Sequence, residues 1–251
     1  MTPDARPVLV TTLWLALAHA IALGAVAAFL YTPESNVLML ALSALLVLAT
    51  LVVLLMASTS AAHALVHRQA PWRSLGAAAR LLPLVLVGVL VVGVICGAAG
   101  AFESWWVSRA GEIDATAIAA GDITNTGPLH AAVRWLVRAV QWVLVPAWLA
   151  ACLAWAAAYE RRDVLGLKWL AASLRWRLLG VAVAAVVLLV WLPWHYVYWR
   201  PRALPASSIE IAWFAIKMGV IYLLAQLAWA LTLWTATRDV APATPTGGPD
   251  R

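Results

Sequence analysis

Six long apolar runs take up most of this chain. They cover Val8–Tyr31, Val37–Ser58, Leu81–Trp106, Leu129–Tyr159, Leu178–Trp194 and Ile209–Thr235. A helix of about 20 apolar residues crosses the ~30 Å hydrocarbon layer of a bilayer. The runs therefore predict an all-α, polytopic membrane bundle of six transmembrane helices within residues 1–240. The segment Ala241–Arg251 is Pro, Gly and Thr without apolar periodicity, and is expected to be a disordered tail.

Composition excludes a soluble domain. Charged residues make up 11% of the chain and apolar ones 65%, with a mean hydropathy of +0.89. A soluble domain carries about 25% charged residues, so this chain lacks the means to cover a wetted surface. The net charge of +6 does not indicate nucleic acid. A nucleic-acid binder gathers its basic residues on one solvated face, whereas here they sit in short loops between apolar runs.

Those loops orient the chain. Lys and Arg in short loops favour the cytoplasmic side. The N-terminal segment has Arg6, the second loop Arg68, Arg73 and Arg80, and the fourth loop Arg161, Arg162, Lys168, Arg175 and Arg177. The C-terminal segment adds Arg238. The first loop carries only Glu34, and the third sets Arg109 against Glu112, Asp114 and Asp122. The alternation predicts a bacterial inner-membrane protein with both termini cytoplasmic. Arg200 and Arg202 in the fifth loop dissent but are outweighed.

Tryptophan and tyrosine favour bilayer interfaces. On this topology Tyr31, Trp105, Trp106, Trp191, Trp194, Tyr196, Tyr198, Trp199 and Trp213 mark an outer belt, and Trp14, Trp72, Trp155, Tyr159, Trp169, Trp176 and Trp234 an inner one. Arg6 followed by an apolar stretch and Ala18-His19-Ala20 also fits a secretory signal with its cleavage site. The run continues to Leu30, longer than a signal's apolar region, which favours a retained helix. Cys96 and Cys152 fall at different depths, so no disulfide is expected, and no metal-ligand spacing occurs.

The second and fourth loops resemble each other. One reads Trp72 and then Arg80-Leu81-Leu82-Pro83; the other reads Trp169 and then Arg177-Leu178-Leu179-Gly180. The match suggests an internal repeat of two helix–elbow–helix units, although basic loops between Leu-rich helices look alike without one. In each elbow Trp would rest in the headgroup layer and Arg would meet anionic phosphate.

Trp72-Arg73-Ser74-Leu75-Gly76-Ala77-Ala78-Ala79-Arg80-Leu81-Leu82-Pro83 resembles the segment preceding a helix in six-helix bacterial YciC-type membrane proteins. It is also similar to the membrane domain attached to some glycerophosphodiester phosphodiesterases. The segment from Asp163 to Arg175 resembles the second such stretch. The resemblance covers about a third of the chain and implies a six-helix membrane domain. In the phosphodiesterases catalysis belongs to a separate soluble barrel with no counterpart in this sequence.

Ionisable residues within spans are costly and therefore candidates for function. His19 lies in the first run and Glu103 near the outer end of the third. His130, Arg134, Arg138 and Gln141 step by four, four and three along the fourth, which sets them on one helical face. Either this face turns into the bundle, or Leu129–Gln141 is an interfacial helix and the span begins near Val140. Pro146 should disturb the helix in both cases. Glu210 and Lys217 share a face of the sixth run, Ser207-Ser208 reading as its N-terminal start.

Two uncompensated cations would be hard to retain near mid-bilayer. The expectation is that Arg138 and Lys217 lie close together, with Glu103 and Glu210 near them, as an outer-leaflet cluster. Arg134, Arg138, Gln141, Lys217, Glu210 and Glu103 are the candidate ligand-binding residues. His63 and His67 are one turn apart, but no third metal ligand accompanies them. No nucleophile elbow, phosphate-binding loop or His-Glu-x-x-His motif is present. The sequence favours a non-enzymatic scaffold or accessory in a lipid or envelope process, without a cofactor. Its expected partners are membrane lipids and a further membrane protein. A transporter or lipid-binding protein using the outer cluster is the alternative.

Overall fold

The computed structural model describes residues 5–32, 36–120, 126–159, 165–197 and 208–240. The tail Ala241–Arg251, the arginines of the fifth loop, and Arg161 and Arg162 lie outside the described residues. The helices are α1 (Ala5–Leu30), α2 (Val37–His67), α3 (Leu75–Ala119), α4 (Gly127–Ala139), α5 (Val145–Ala158), α6 (Lys168–Ser173), α7 (Trp176–Ala185), α8 (Leu192–Tyr196) and α9 (Ser208–Val240). A 3₁₀ turn, Pro71–Ser74, leads into α3. Wide π turns at Val140–Leu144 and Val186–Trp191 join α4 to α5 and α7 to α8. The protein is an all-α bundle, and among the described residues six helical rods are long and apolar enough to cross a membrane.

Local chemistry sets the rod ends. Asn36 caps α2, its side-chain oxygen accepting the Met39 N–H at 3.0 Å. The same helix stops at Arg68, whose backbone is left-handed (φ 53°) and whose N–H returns to the Ala64 carbonyl. The π turns each stand just ahead of a proline, Pro146 and Pro193. Proline has no N–H to give, and its ring crowds the carbonyl four residues back. A widened turn relieves both problems, so the disturbance expected at Pro146 takes this form.

Helix α3 most exceeds the apolar run that announced it. At 1.5 Å per residue, the 45 residues of α3 extend about 68 Å, more than twice the ~30 Å hydrocarbon layer. The third apolar run ends at Trp106, but α3 runs on to Ala119. Helices α4 and α5 form one rod, Gly127–Ala158, about 48 Å long. Helix α4 packs on the far part of α3, forming a helical hairpin with it.

The core is unevenly placed along the bundle. Helix α1 packs between α2 and α9, and α5 against α2, α3 and α9. Ala57, Ala61, Ala62 and Ala64 of α2 are buried, as are Ala147, Ala150, Ala151 and Ala154 of α5 and Ala230 and Ala236 of α9. Small side chains let the backbones approach closely. At the opposite end, residues 37–52 of α2, α3 beyond Gly93 and the first half of α9 are largely exposed. The bundle is thus closed at its basic end and splayed at the other.

Trp169 corrects an expectation. It was placed at an interface beside Trp72, yet it is 0% exposed, whereas Trp72 is 56% exposed. A methyl group built on Gly88 would meet the Trp169 indole at 3.8 Å and would clash with the Cys152 sulfur. The three side-chain positions interlock α3, α5 and α6. The elbows therefore differ. The first is a 3₁₀ turn continuous with α3, and the second a short helix driven into the core and separated from α7 by Leu174 and Arg175.

Candidate functional site

The outer candidates divide into two groups. On the α3–α4 hairpin, the Arg134 guanidinium stands 3.9 Å from the Glu103 carboxylate and donates to His130 Nε2 at 2.7 Å. Arg138, one turn on, lies over the Trp135 ring at 5.6 Å. Gln141 falls in the first π turn, where the widened helix breaks the four-four-three spacing of the sequence pattern. Asp114 accepts from the Thr126 backbone at 3.3 Å and from its hydroxyl at 2.6 Å. A carboxylate thus sits at the start of α4, the favourable end of the helix dipole.

Lys217 belongs to the second group. Its ammonium donates to the Val197 carbonyl at 3.0 Å and lies 5.6 Å from the Trp213 ring. Val197 closes α8, so the cation sits at the negative end of a helix, where the carbonyls need donors. Helix α4 takes α3 as its main neighbour, while α9 packs on α7 and the second π turn. Arg138 neighbours the Trp135 ring, and Lys217 the end of α8. Glu103 serves Arg134, and a helix end serves Lys217. Glu210 is half-buried in the first turn of α9.

At the basic end the structure makes an assembly that sequence spacing does not show. A cleft of about 760 Å³ opens between the start of α1, the first elbow and the last turn of α9. Arg6, Arg68, Arg73 and Arg238 line it, with Trp72 and Trp234. They come from three places in the chain, and no Asp or Glu is among the lining residues. The Arg238 guanidinium rests 4.3 Å from the centre of the Trp234 ring, a cation–π contact that fixes its position. The residues had been counted as orientation signals.

The cleft has a rigid frame. Gln69, also in its lining, donates to Ser74 Oγ at 2.8 Å and to His63 Nδ1 at 3.0 Å. His67 Nε2 donates to the Ala157 carbonyl at 3.2 Å, linking α2 to α5. Among the described residues no group of three or more His, Cys, Asp or Glu gathers to hold a metal. The end of α9 is tied as well. Tyr159 donates its hydroxyl to the Val240 carbonyl at 3.0 Å, and Arg175 donates to the Asp239 carbonyl at 2.7 Å.

No family model, curated protein or solved structure matches the chain.

Proposed function

We propose that this is a non-enzymatic scaffold or accessory protein of the bacterial inner membrane, serving a lipid or envelope process, with both termini in the cytoplasm. The resemblance of its elbows to YciC-type proteins is part of the same reading. One observation carries it over a transporter. The costly polar groups of the splayed half are satisfied locally, Arg134 by Glu103 and His130 and Lys217 by the end of α8. Groups held this way stabilise the bundle without needing a substrate.

Extraction into lipid-retaining polymer discs, followed by mass spectrometry, tests the reading. A membrane protein recovered at near-stoichiometric amount, or a lipid class enriched over the bulk membrane, is the expected result. A lone chain surrounded by lipid of bulk composition would contradict it.

A further inference from the structure

The arginine-lined cleft lies beyond the accessory role and does not depend on it. Arg6, Arg68, Arg73 and Arg238 line one volume, and no Asp or Glu is among its described lining residues. Brought together, like charges repel unless an anion or water screens them. Their identity also matters. Each residue is Arg rather than Lys, and the planar guanidinium fork matches the oxygens of a phosphate in pairs.

The positions are built into the fold. Arg68 is the left-handed cap of α2. Arg73 stands on a 3₁₀ turn whose Ser74 is fully buried and bonded to Gln69. Arg238 is stacked on Trp234. Arg6 lies in the first turn of α1, whose free N–H groups and dipole add positive potential.

The rest of the lining mixes apolar side chains, among them Val10, Leu65 and the two indoles, with the polar Thr11, Gln69 and Thr237. A volume of about 760 Å³ falls in the usual range for small-molecule sites, roughly 300–1,000 Å³. A charged rim over an apolar wall suits an amphiphilic or ester-bearing anion better than a bare ion. Basic pockets between spanning helices at a membrane surface take lipid phosphates by this same combination.

We propose that the cleft is a binding site for an organic phosphate ester. Two sources share this chemistry, the headgroup of an anionic phospholipid and a soluble phosphate ester. The test uses the full-length protein in detergent, titrated with phosphatidylglycerol, phosphatidylcholine or glycerol phosphate and read by native mass spectrometry. The variants are the double substitution R68Q/R73Q, the charge-retaining R73K, and R109Q as a control that removes a positive charge at an exposed arginine far along α3.

The expected result is that wild type and R109Q bind one probe equally. R68Q/R73Q should bind it at least about tenfold more weakly, and R73K a few-fold more weakly, because the bidentate fork is lost. Preference for phosphatidylglycerol over both other probes assigns a lipid. Preference for glycerol phosphate assigns a soluble ester. If R68Q/R73Q does not fold, R73K alone decides, with binding equal to wild type counting against the site. Equal affinity in all four proteins, or no binding of either phosphate probe by wild type, overturns the proposal.

Discussion

Gly88, Cys152 and Trp169 interlock α3, α5 and α6 in the core. Trp169 follows a lysine in a basic loop, the pattern of an interfacial tryptophan. Only the turn of α6 into the core, a tertiary event, buries it. A methyl group on Gly88 clashes with the Cys152 sulfur, and overpacking of this kind costs about 1–3 kcal/mol. Gly88→Ala should lower the melting temperature in detergent, and adding Cys152→Ala should restore much of the loss. Equal melting of Gly88→Ala and wild type would mean that the junction is loose. The Glu103–Arg134 pair is a weaker contact. At 3.9 Å and with both side chains partly exposed, its coupling in a double-mutant cycle with Glu103→Gln and Arg134→Gln should be below about 1 kcal/mol.

At the scale of elements, the apolar runs located all six rods but misplaced their ends. Hydropathy falls where polar residues begin, whereas a helix ends where its caps and turn residues stand. Beyond Trp106, α3 meets no proline before Pro128, and its residues are mostly helix-compatible, so it continues through Arg109 and Glu112 to Ala119. The stop of α2 at a left-handed arginine was equally hidden, because glycine or asparagine is the usual signal.

The far end of α9 offers a test at this scale. Its last carbonyls are held by Tyr159 and Arg175, and a bond of this type contributes about 1 kcal/mol. Tyr159→Phe and Arg175→Ala should each speed amide exchange over residues 236–240 by about fivefold, leaving α1 unchanged. Unaltered exchange in both variants would show that α9 ends without these ties.

For the molecule as a whole, sequence pattern supplies number and direction of helices but not their lateral arrangement. The charges along the fourth run and Lys217 were assigned to one cluster because depth alone was available. The structure gives Arg134 and Lys217 different partners, Glu103 and the Val197 carbonyl. The same limit hid the cleft, whose arginines lie at residues 6, 68, 73 and 238 and meet only when α1, the first elbow and α9 converge. Closure at the basic end follows from the buried alanines of α2, α5 and α9, a pattern legible once neighbours are known.

The central claim is that the closed, arginine-bearing end faces the cytoplasm and the α3–α4 hairpin projects outward. Cysteine accessibility in intact cells tests it most directly, in a background with Cys96 and Cys152 replaced by alanine. Gly111, exposed on the hairpin with open space around it, and Leu165, exposed before α6 at the closed end, are the reporting positions. Gly111→Cys should react with a membrane-impermeant maleimide in intact cells, and Leu165→Cys only after the membrane is permeabilised. Labelling of Leu165→Cys but not Gly111→Cys in intact cells would contradict the account.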